Sequence, residues 1–163
     1  HDFLARVRRL VHYDERVTAF EFALLRIVRH HLQQRQGARR GGRLRTAREL
    51  GAQMSVVASA IAHAGAEDEE AAEKAFDRAS DQAEASVQQY TRFLARNELS
   101  FDALDDALDG LAQGTFPVRK HFLHFAATLV VIDGETTVKE AELLRAIAVG
   151  MDCPMPPLVP DAE

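Results

Sequence analysis

The 163-residue chain is 47% hydrophobic and 28% charged, enough apolar surface to build a core unaided, which excludes disorder throughout. Its single cysteine, Cys153, excludes an intramolecular disulfide and fits a reducing compartment. The net charge of −5 is unevenly placed: residues 1–48 hold 12 Arg against Asp2, Asp14, Glu15 and Glu21, a net +8, and the rest of the chain carries −13.

The chain opens with Arg6, Arg8 and Arg9 inside its first apolar stretch, which is not a signal-peptide pattern. No run reaches the ~18 apolar residues of a membrane span. The best candidate, 122–132, is shorter and contains His124. The chain therefore reads as soluble, and its start at His1 rather than Met suggests a piece of a longer protein, which could be membrane-anchored. Apolar residues recur at three- and four-residue intervals almost everywhere, and no period-two run appears, so the fold class is all-α. The spacing predicts about seven helices, near 2–13, 18–34, 44–64, 68–95 (with a break near 82–86), 100–112, 116–131 and 138–150. Residues 1–153 form one helical domain on this reading. Residues 154–163, with Pro154, Pro156, Pro157 and Pro160, form an extended tail.

Several boundaries have chemical causes. Arg39, Arg40, Arg43 and Arg45 cluster beside Gly37, Gly41 and Gly42, which reads as a mobile basic loop able to meet an anionic surface. The alternative is that the basic and acidic parts attract each other within one fold. Leu50, Met54, Val57 and Ile61 mark a buried helical stripe, and Gly65 a helix stop, with residues 67–70 opening the next helix. Ser100 is placed to cap a helix from Phe101. Gly110 and Gly114 weaken helix propagation, and Pro117 suits the first turn of the next helix.

A sequence unit occurs twice, at 14–26 and 133–145. Six of its thirteen positions match: Asp14/Asp133, Thr18/Thr137, Glu21/Glu140, Leu24/Leu143, Leu25/Leu144 and Arg26/Arg145. Mechanically, each copy is a helix corner. The chain turns at the Asp, Thr caps a new helix, and Glu reaches back to the cap, so Thr18 with Glu21 and Thr137 with Glu140 read as capping boxes. Gly134 supplies a left-handed turn residue in the second copy; the first has Glu15 there, which tolerates positive φ poorly. Chemically, Asp14, Glu21, Asp133 and Glu140 form a carboxylate set suited to a hard divalent cation such as Ca²⁺ or Mg²⁺, although the D-x-D-x-D-G loop of an EF-hand is absent.

The string Asp133-Gly134-Glu135-Thr136-Thr137 with Glu140 and Leu143-Leu144 resembles the corners of the tellurite-resistance TerB-like domains. The pairing of 13–25 with 131–144, and the closing Asp152-Cys153-Pro154-Met155-Pro156-Pro157-Leu158, are similar to the C-terminal TerB-like region of some bacterial M48 zinc metalloproteases. The resemblance spans nearly the whole chain and is strongest in 10–30 and 100–158. It implies an all-helical domain of two pseudo-symmetric halves on the cytoplasmic side of the inner membrane. It also implies a metalloendopeptidase parent that holds the zinc. The H-E-x-x-H motif is absent from this chain, so no catalytic residue carries over and no cofactor is expected here beyond a divalent cation. The acidic metal-binding surface of such domains maps onto Asp14, Glu21, Asp133 and Glu140, with Glu15 departing from the usual Gly.

Other chemistry is thinly supported. His121 and His124 stand three apart on one helix but lack a third ligand beyond Asp133, so His124 is expected to border the core and His121 the surface. His30 and His31 are adjacent and diverge on a helix. Cys153 has no activating base near it in sequence, which favours packing. Asp105, Asp106 and Asp109 read as a solvated acidic face. Walker A, G-x-G-x-x-G and G-x-S-x-G motifs are absent. The expected partners are a protein, the parent's catalytic domain or a second copy of the chain. Nucleic acid is not expected, since 35–48 has no aromatic residue to stack on bases.

Overall fold

The computed structural model describes residues 43–155 other than Glu135 and Thr137. The predicted helices at 2–13 and 18–34, the first copy of the repeat, His30, His31, Arg39, Arg40 and most of the tail lie outside the described residues. Six α-helices occur among those described: α1 Gly51–Ala64, α2 Glu69–Ser80, α3 Ala85–Gln88, α4 Phe101–Leu111, α5 Phe116–Val131 and α6 Val138–Gly150. No strand forms among them, and the one isolated bridge joins Arg45 to Gly114. The domain is all-α.

Helix α1 is the central element and packs on α4, α2, α5 and α6. Its predicted stripe is the core: Leu50, Met54, Val57 and Ile61 are all buried. They meet Leu108 and Leu111 of α4, Phe122 and Phe125 of α5, and Leu144, Ile147 and Met151 around α6 in one cluster. Phe93, Phe76, Phe125 and Phe122 continue as a chain of edge-to-face rings, with centroids 5.6–6.4 Å apart.

Two boundaries differ from expectation. The helix expected from 44 begins as a turn at 47–50, because Thr46 and Glu49 form a capping box there. The Thr46 N–H donates to Glu49 Oε2 (2.8 Å), and the Glu49 N–H points back to Thr46 Oγ1 (3.4 Å). The helix expected over 68–95 breaks between Ser80 and Ala85, close to the break expected near 82–86, but after the single turn of α3 the chain forms no regular element through 91–95. Helix α4, at Phe101–Leu111, keeps to the expected 100–112 and passes through Gly110, which lies buried against Gln53 of α1.

Other ends follow sequence. Asp68 caps α2 through the Ala71 N–H (2.8 Å), and Ser100 caps α4 through the Ala103 N–H (3.1 Å). Pro117 sits in the first turn of α5. Helix α6 closes in a Schellman motif: the Cys153 N–H donates to Ala148 O (3.0 Å) and the Asp152 N–H to Val149 O (3.2 Å). Asp152 takes the left-handed conformation at φ 49°. Arg119 of α5 covers the same end, donating to Met151 O (2.5 Å) and Asp152 O (3.3 Å).

Candidate functional site

The second copy of the repeat is a joint between four helices. Helix α5 ends at Val131, the chain turns through Asp133, and Gly134 adopts φ 81°, the left-handed residue expected there. Arg78 of α2 donates to Ile132 O (3.3 Å), tying the corner to α2. Glu140, in the first turn of α6, is buried, and its Oε1 lies against Gly65 at the end of α1. Any Cβ at residue 65 would overlap that oxygen. Gly65 has an ordinary right-handed backbone (φ −92°, ψ −3°), so what favours glycine there is the close approach of the Glu140 side chain rather than helix-stop geometry.

Of the four carboxylates in the candidate cation set, Asp14 and Glu21 lie outside the described residues, as does Thr18. Asp133 is exposed and Glu140 is 2% exposed, so the two differ sharply in access to an ion from solvent. Among the described residues, no group of three His, Cys, Asp or Glu side chains converges on a common point. The capping box expected for Glu140 involves Thr137 and lies outside the described residues.

The histidine expectation is reversed. His124 is exposed and His121 half-buried, because Phe122, Leu123, Phe125 and Ala126 form the buried face of α5. Cys153 is half-buried at the position after the left-handed cap, where a Schellman motif places an apolar contact, and it packs on the core. That burial pushes its thiol pKa up, against the smaller opposing pull of Arg119 and Lys120. A raised pKa is the opposite of nucleophile activation.

In the basic stretch, Arg43 pairs with Glu49. Arg45 is fixed by its backbone: its N–H donates to Gln113 O (2.9 Å) and its carbonyl accepts from the Thr115 N–H (3.1 Å). Its guanidinium donates to Glu49 O (3.1 Å). Hydrogen bonds from the Thr46 backbone and hydroxyl, followed by the charge of Arg43, hold the Glu49 carboxyl below its ordinary pKa. Arg43 and Arg45 thus frame the start of α1.

One polar arrangement was not anticipated. Gly51, Ser55, Ser59 and His63 recur every four residues along one face of α1, and segment 90–95 is strapped across them. Ser55 Oγ accepts from the Arg92 N–H (3.0 Å), Ser59 Oγ accepts from the Leu94 N–H (2.9 Å), and His63 Nε2 lies 2.9 Å from Leu94 O. A carbonyl only accepts, so Nε2 carries the hydrogen. His63 Nδ1 is buried and meets no hydrogen-bond partner among the described residues, while the ring packs on Phe93 at 5.1 Å. At Gly51 a Cβ would come within 2.6 Å of Tyr90 O, so the strap needs glycine there. The four-residue period of small and polar residues was the available signal. It marks a face that feeds backbone hydrogen bonds to an extended segment in place of a sheet.

Compared with protein-family models, curated proteins and solved structures, the chain matches none.

Proposed function

We propose that this chain is a non-catalytic interaction and regulatory domain of a membrane-bound zinc metalloprotease of the M48 type, facing the cytoplasm. One observation carries the non-catalytic part. Among the described residues, a set of buried and half-buried side chains of kinds that catalysis recruits is engaged in holding the fold. Ser55, Ser59 and His63 serve the strap, Glu140 seats α6 against α1, and Cys153 is an apolar contact at a helix end.

The protease parentage rests on the corner at Asp133 and on the closing sequence from Asp152. No helix among the described residues is long and apolar enough to cross a membrane, which leaves anchoring to the parent chain. The purified chain is expected to leave casein and peptide substrates intact. Chelator-sensitive hydrolysis would overturn the reading. The coding sequence upstream of His1 tests the parentage: an H-E-x-x-H motif and a hydrophobic span are expected there, and a different upstream domain refutes it.

A further inference from the structure

We propose that segment 90–95 is an open strand edge on which an acidic, extended peptide segment of a partner protein docks by β-addition, pairing with Thr91 and Phe93. The proposal stands on the strap alone, independently of the protease parentage.

The strap meets α1 at every second residue, about one helical turn further along each time. Tyr90 O lies against Gly51, the Arg92 N–H is bonded to Ser55, and Leu94 turns both its N–H and its carbonyl to Ser59 and His63. Two residues of extended chain advance about 6.7 Å and four residues of helix about 6 Å, so a strand-like chain keeps this register. In such a chain the N–H and carbonyl of one residue point to the same side, and those of its neighbours to the other. Thr91 and Phe93 therefore turn their backbone groups away from α1. Among the described residues, the N–H and carbonyl groups of Thr91 and Phe93 have no hydrogen-bond partner. Ala95 closes the edge, because its N–H is bonded to Glu98 Oε2 (2.8 Å) and its carbonyl to the Glu98 N–H (2.9 Å). What remains is a short, unpaired strand edge on a helical domain.

The occupant follows from the backbone and from charge. Donors and acceptors in strand spacing are satisfied together by an extended peptide, whose alternate residues turn both groups to one edge. A partner helix cannot do so, since its own ladder uses those groups. The edge needs little ordering on binding, because Ser55, Ser59 and His63 already hold its back. Charge then selects the peptide. Residues 85–97 hold Arg92 and Arg96 and no acid, within a portion, 49–163, that carries −13 overall. Arg92 is exposed, and its guanidinium meets no carboxylate among the described residues. Tyr90, 36% exposed, adds an aromatic contact where the edge begins.

The test uses the full chain and a blocked hexapeptide of alternating glutamate and valine. At about ten times its dissociation constant, the peptide is expected to slow amide hydrogen exchange at Phe93 about tenfold, with the α5 amides unchanged. The same peptide with every backbone nitrogen methylated keeps its charge and loses the pairing, so it is expected to leave Phe93 as it was. Arg92→Glu is expected to weaken binding about fivefold at low salt. Where that variant fails to fold, lysine in place of the peptide's glutamates reads the same charge and is expected to weaken binding likewise. Exchange at Phe93 that stays fast at millimolar peptide overturns the proposal, and so does equal protection by the methylated peptide. Indifference to both charge changes overturns the acidic partner. Protection that grows with protein concentration in the absence of peptide also overturns it, because the occupant would then be a second copy.

Discussion

Replacing Gly65 with alanine isolates the contact that joins α6 to α1. The backbone at residue 65 (φ −92°, ψ −3°) suits alanine, and the loss of unfolded-state freedom alone favours the substitution by about 0.4–1 kcal/mol. Against this, the new methyl overlaps Oε1 of a carboxylate that is 2% exposed, so the buried Glu140 side chain must shift from its packed position. Displacing a packed, buried polar group costs about 2–4 kcal/mol, which leaves a net loss of about 1–3 kcal/mol. In a chain of this size that lowers Tm by roughly 3–10 °C. Urea unfolding of the wild type, Gly65→Ala, Glu140→Ala and the double variant closes a cycle. With the carboxylate removed, the methyl at 65 fills space, so the two changes are expected to couple by about 2 kcal/mol. Additive effects would refute the contact, and a neutral Gly65→Ala would refute it alone.

Four further outcomes follow. Ser59→Ala leaves the buried Leu94 N–H without its acceptor, costing about 1–3 kcal/mol and speeding exchange at Leu94 before the α5 amides. Glu49 has its pKa lowered in the fold, so its contribution is present above the ordinary carboxylate range and lost as pH falls below it. Amide exchange in the first turn of α1 reports this, and Glu49→Gln abolishes the pH dependence. Cys153 has its pKa raised, so the native thiol stays protonated at pH values that ionise a free one, and its contribution to stability is lost as pH rises through the thiol range. Its reaction with a disulfide reagent is therefore slower than that of free cysteine near pH 8. Calorimetric titration with Ca²⁺, Mg²⁺, Mn²⁺ and Zn²⁺ is expected to give no heat. Binding that disappears in Asp133→Asn would support the cation reading of the corner.

The fold was legible where a rule of local chemistry and a rule of burial agreed. Ser100 is a cap by residue type and stands before an amphipathic run, and α4 begins there. The helix expected from 138 is α6, and the Leu50, Met54, Val57, Ile61 stripe gave α1 its buried face. Sequence failed over 90–95 because Val87, Tyr90 and Leu94 repeat at helical intervals. What breaks the helix is distant: the hydroxyls of Ser55 and Ser59 lie 37 and 35 residues from the N–H groups they accept. Gly65 was placed correctly for an incomplete reason, since a glycine after a helical run suggests a stop and nothing local announces a carboxylate from residue 140. The two histidines of α5 were exchanged because a three-residue spacing does not say which member faces the core.

The Thr46 and Glu49 pair changes what the repeat at 14–26 and 133–145 means. It is the same T-x-x-E string, forms a capping box, and belongs to neither copy. Two of the six matches, Thr18 with Thr137 and Glu21 with Glu140, are therefore what any well-capped helix start displays. The weight of the repeat shifts to the Asp, the paired leucines and the Arg. The two glutamates placed by the structure also behave differently. Glu49 stays near solvent and binds its own turn and Arg43, whereas Glu140 is buried against another helix. A box needs only the first arrangement. The second is an addition specific to the corner at 133–145, and it makes Glu140 a packing element whose removal loosens α6 from α1. If the first copy is a true counterpart, Glu21 has its own buried contact with a small residue. Glu21→Gln would then cost as much stability as Glu140→Gln. If it is only a cap, Glu21→Gln is nearly neutral, since glutamine also serves in a capping box. Thermal unfolding of the two variants side by side distinguishes a duplicated joint from a coincidence of caps.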